Sequence, residues 1–97
     1  MMGIFIKGHA GYDEKGRDIV CAGVSALTMA LYRSLMDIVG GEYDLYTMFD
    51  DGEVLIIAKN FRSERVRNRI QLFVEMFASG LKEISSLYPE YVRVRDI

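Results

Sequence analysis

This chain of 97 residues is poor in several residue types that carry chemistry. It has one cysteine, Cys21, one histidine, His9, and one proline, Pro89. A single cysteine makes no internal disulfide, so a reducing, cytoplasmic setting is the simplest expectation. One Cys and one His with no spaced partners cannot close a zinc site, and no phosphate-binding glycine loop is present. No metal or other cofactor is therefore expected. The formal net charge is −2. Global nucleic-acid binders are strongly basic, which argues against nucleic acid as a partner. The N-terminal "MMGIFIKGHAGY" has an apolar run too short for a signal peptide or a membrane span, which argues against a membrane partner.

What remains is the composition of one ordinary globular domain over residues 1–97, half hydrophobic and about a quarter charged. "GIFIK" alternates as a strand, and residues 8–17 form a polar loop punctuated by Gly8, Gly11 and Gly16. Asp18 reads as the N-cap of a helix from Ile19 to about Val39. That helix has a core stripe of Val20, Val24, Leu27, Leu31, Leu35 and Ile38. "YDLYTMF" and "EVLIIAK" are strands joined by an Asp50-Asp51-Gly52 hairpin. "VLIIA" is apolar on both faces, as a central strand would be. Ser63 caps a second helix running to about Leu87, with Val66, Ile70, Phe73, Phe77, Leu81 and Ile84 inward and Pro89 beyond its end. Gly80 inside it marks close packing. "YVRVR" reads as a last strand. The expected fold is α+β: a two-layer sandwich of order β-α-β-β-α-β, with a four-stranded, mostly antiparallel sheet and two helices.

On this frame Cys21 falls in the first helical turn, where the helix dipole favours a thiolate. Cys21, Ser25 and Thr28 share one helix face. Ala22, Gly23 and Ala26 leave room for something to lie against the helix. His9 follows the first strand, and the loop returns the chain to the helix start. An imidazole there can take the thiol proton and later give it to a leaving amine. Unpaired N–H groups at the helix start would serve a developing oxyanion. Against this stands a structural reading in which Cys21 is a small packed hydrophobe and His9 a surface residue. Arg62, Arg65, Arg67 and Arg69 cluster at the second helix, either as a contact for an acidic partner or as a solvated face.

The segments "GHAGY" and "GRDIVCAGVSAL" resemble the two signature segments of the bacterial ribosomal-processing cysteine protease (Prp) family. The agreement runs through Gly8, His9 and Ala10, then Asp18, Ile19, Val20, Cys21, Ala22 and Ser25. The family's members carry an extra strand and turn before the first segment, whereas seven residues precede Gly8 here. The resemblance implies a homodimeric cysteine endopeptidase. Its substrate would be the N-terminal extension of a large-subunit ribosomal protein (bacterial L27), cut after a short apolar segment ending in aromatic residues. By matched position Cys21 would be the nucleophile and His9 its general base, with Asp18 and Ser25 supporting. Gly8, Ala10, Gly11 and Tyr12 belong to a loop expected to close over substrate. The alternatives are a non-enzymatic, ribosome-associated dimeric binding module and, third, a redox-sensing thiol protein.

Overall fold

The computed structural model describes residues 2–7, 15–38, 42–50, 53–89 and 92; of residues 15–18 and 38 it describes the backbone. The order is β1 (Met2–Lys7), α1 (Lys15–Ile38), β2 (Asp44–Asp50), β3 (Glu53–Lys59) and α2 (Glu64–Leu87). Among the described residues the sheet has three strands, in the order β1-β3-β2, both pairings antiparallel. The doubly apolar strand is indeed the central one.

Four strands are thus not what the described sheet contains. Most of Tyr91–Arg95 lies outside the described residues. At Val92 the backbone N–H donates to the Tyr88 carbonyl at 3.2 Å, and its carbonyl accepts from Ser85 Oγ at 2.9 Å. Those bonds hold Val92 against the end of α2.

Register explains which residues form the core. Met2, Ile4 and Ile6 stand opposite Ala58, Ile56 and Val54, and Leu45, Thr47 and Phe49 stand opposite the same three from the other side. Directly paired residues point to the same face, so this is the face toward the helices. Ile56 and Ala58 pack there with Leu31 and Leu35 of α1 and Val66, Ile70 and Phe77 of α2. Each of these buried helix residues lies on one of the two stripes read from the sequence. The helices meet closely where a side chain at Gly80 would come within 2.9 Å of a Leu27 methyl, and where one at Gly23 would touch Ile84. Gly23 therefore serves helix packing rather than leaving room for a ligand.

Local signals hold the ends. Ser63 Oγ accepts from the Val66 N–H at 3.2 Å, the expected cap of α2. After β3, Asn60 adopts a left-handed φ of 56° and its side-chain amide donates to Asp44 Oδ2 at 2.8 Å. Tyr43, just before β2, is buried and donates its hydroxyl to the Leu35 carbonyl in the last turn of α1 at 2.7 Å. The hairpin residues Asp51 and Gly52 lie outside the described residues, between the paired Asp50 and Glu53.

Candidate active site

α1 begins at Lys15, so Asp18 is its fourth residue and not its N-cap. This corrects the expected start at Ile19. The error has a physical origin: an acid is favoured both at the cap and within the first turn, so the residue type alone does not separate the two positions. Cys21 becomes the seventh helical residue, in the second turn. Its own N–H then falls past the first four, the ones without an intrahelical partner. An oxyanion at the sulfur would not be met by the N–H groups of residues 19–21, as the first-turn placement implied.

Cys21 itself is half-buried, and Ser25, one turn further, is exposed. Thr28 does not join them at the surface. It is buried, and its Oγ1 donates to the Val24 carbonyl at 2.7 Å within the helix. His9 and its neighbours Gly8, Ala10, Gly11 and Tyr12 lie outside the described residues. They connect the end of β1 to the start of α1. The β1 end at Lys7 pairs with Glu53 beside the β2–β3 hairpin.

The flank of α1 that carries Cys21 continues along the helix to Tyr32. Its ring packs edge-to-face on Phe49 of β2, centroids 5.3 Å apart at 81°. Tyr32 has a sequence signal, since steps of four, four and three from Cys21 reach it through Ser25 and Met29 on one flank. Phe49 has none, because its partner is set by the sheet. Among the described residues no group of three or more His, Cys, Asp or Glu side chains is placed to hold a metal ion. Arg62, Arg65, Arg67 and Arg69 are all exposed.

The family model described as cysteine protease Prp matches residues 1–93. A ribosomal processing cysteine protease Prp of Bacillus subtilis is 30% identical over 87 residues, covering 90% of this chain and 78% of its own. The fold is similar to that of an essential ribosomal processing protease Prp from S. aureus, solved in complex with a substrate peptide. That match has a TM-score of 0.79 and 24% identity, over 96% of this chain and 84% of the other. A structure of the S. aureus protease with a covalently linked product peptide matches with a TM-score of 0.73 and 26% identity, over 94% and 82% of the two chains. With the match spanning nearly its whole length, the chain belongs to the Prp family of ribosomal-processing cysteine proteases.

Proposed function

We propose that this chain is an endopeptidase that removes the N-terminal extension of a large-subunit ribosomal protein, bacterial L27, through a dyad of Cys21 and His9. One observation carries the assignment: a cysteine protease needs a nucleophilic thiol, and this chain holds a single cysteine. Cys21 is half-buried rather than sealed in the core. His9, the sole histidine, belongs to the connection between β1 and the helix that carries the sulfur.

In this mechanism His9 takes the Cys21 proton and the sulfur attacks the scissile carbonyl, forming a tetrahedral oxyanion. The oxyanion collapses to a thioester as His9 gives the proton to the departing amine. Water, deprotonated by His9, then attacks the thioester and releases the new carboxyl group and the thiol. Ser25, exposed one turn from the sulfur, supports the site from the helix. Asp18, inside the first turn, favours the helix start electrostatically. Gly8, Ala10, Gly11 and Tyr12, in the connection between β1 and α1, contact the bound peptide.

The enzyme works as a homodimer in the cytoplasm. The support for a dimer is the apolar surface one copy leaves uncovered. The segment Ile19–Asp37 of α1 is long and apolar enough in principle to cross a membrane, yet 22% of it is buried within the chain. Ile19, Ala22 and Ala26 are exposed along that helix. A second copy is the simplest cover for them.

The test is incubation of the purified chain with extended ribosomal protein L27 from the same genome, read by intact-mass spectrometry. One shortened product is expected. A substrate left intact by an enzyme preparation that is folded refutes the assignment.

A further inference from the structure

The outward half of a surface helix is normally polar. On α2 the large exposed apolar residues instead fall on one line: Leu72 is 63% exposed, Met76 66% and Leu87 64%. Arg65, Arg69 and Glu83, all exposed, lie on the same line. At about 100° per residue the six share an arc of about 60°. Steps of four, three and four lead from Arg65 to Met76, and a further seven reach Glu83, the spacing of a helix-pairing seam. α1 borders this line. Gly80 and Ile84, beside Met76 and Glu83 on α2, are where Leu27 and Gly23 of α1 approach. Ile19, Ala26 and Ala30, exposed, flank Gly23 and Leu27 on α1. The outer face of the helix layer thus carries a continuous apolar strip. Among the described residues no ion pair within the chain engages Arg65 or Glu83.

We propose that this line is the contact between the two copies of the homodimer, α2 packing antiparallel on α2 of its partner about a twofold axis. The register that sets Leu72 against the partner's Met76 also sets Arg69 against the partner's Ser79 and Arg65 against the partner's Glu83. The twofold makes each contact occur twice. The centre of the seam is then apolar, and each basic end meets an acid. That match singles out a second copy of this chain. Glu83 would repel a nucleic acid and would be costly against lipid, whereas the line complements its own reverse. The strip is about 33 Å long and two helices, about 20 Å, wide, so a pair of copies buries roughly 1,300 Å², within the range of specific interfaces. Cys21 lies on the opposite flank of α1, the one that reaches Tyr32 and Phe49 of β2. Both active sites therefore stay open to peptide. This rests on the homodimer proposed above and names its interface.

The test is sedimentation equilibrium of the full chain with charge-reversed variants. Arg65→Glu puts acid against acid at both ends of the seam, and Glu83→Arg puts base against base. Each variant alone should dimerise at least about tenfold more weakly than wild type. An equal mixture of the two should recover the wild-type dissociation constant within about threefold, because the mixed dimer again pairs opposite charges at both ends. The double variant Arg65→Glu/Glu83→Arg should recover it as well. Met76→Asp, at the apolar centre, should weaken dimerisation in every combination. A fold merely damaged by the substitutions would not be rescued by mixing, so the mixture tests the contact itself. Single variants that dimerise like wild type, or a mixture no tighter than its parts, overturn the seam while the homodimer stands. A wild-type chain that is monomeric throughout the micromolar range sinks the homodimer and the seam together, and leaves the protease assignment untouched.

Discussion

Replacing Tyr43 by Phe removes one oxygen from the core and tests how α1 is tied to the sheet. The Tyr43 hydroxyl donates to the Leu35 carbonyl at 2.7 Å, and the ring stacks on Phe61 with centroids 6.3 Å apart at 22°. Phenylalanine keeps the ring and its stacking, so the loss is confined to the hydrogen bond. Such a bond contributes about 0.5–1.5 kcal/mol net. In a domain of this size each kcal/mol moves Tm by roughly 4–8 °C, so Tm should fall by about 2–12 °C at pH 7. A second signature separates this from a general packing loss. Burial raises the Tyr43 pKa above its ordinary value of 10.0. The neutral hydroxyl is thus favoured in the fold, and its contribution is fully present below about pH 10. Above that the unfolded chain releases the proton before the native one does, so stability falls as pH rises toward the folded value. Urea denaturation from pH 7 to 11 should show that decline in the wild type and a shallower one in Tyr43→Phe. Identical Tm values together with parallel pH profiles would refute the reasoning.

Other perturbations should act as the packing dictates. Ile70 is fully buried beneath the sheet, so Ile70→Ala should cost about 2–5 kcal/mol in chemical denaturation. Ser63→Ala should cost about 1 kcal/mol by leaving the Val66 N–H without its cap, with a lower Tm and little change in catalysis. At Gly80 the first carbon of any side chain would already lie 2.9 Å from a Leu27 methyl, and a branched one would drive further into it. Gly80→Val should therefore destabilise by roughly 1–3 kcal/mol. Circular dichroism melts distinguish all three from wild type.

Much of the fold was legible because several signals agreed locally. β3 runs over Glu53–Lys59 as its apolar run indicated, and Ser63 caps α2 because its hydroxyl precedes an amphipathic stripe. Gly80 was legible as a contact point because glycine inside a helix is costly without a packing reason. The start of α1 was not, since Asp18 serves a first turn as well as a cap. Cys21 and Ser25 were legible as a shared face, but Thr28 was not separable from them: three and four residue steps place it beside them, while burial turns it inward. The exposure of Phe49 was not legible because β2 has apolar residues on both faces. Tyr46 and Met48 alternate with Leu45 and Phe49, so no polar face betrays which side the helices leave open.

The central claim is that Cys21 forms a thioester with the N-terminal fragment of its substrate. Intact-mass spectrometry of an acid-quenched reaction with extended L27 measures this directly. The account predicts a transient species weighing the chain plus the released fragment minus one water, mapped by digestion to Cys21. It should be absent from Cys21→Ala, and its formation should slow at least about a hundredfold in His9→Ala. Cleavage that persists in Cys21→Ala, or an adduct on any other residue, would contradict it.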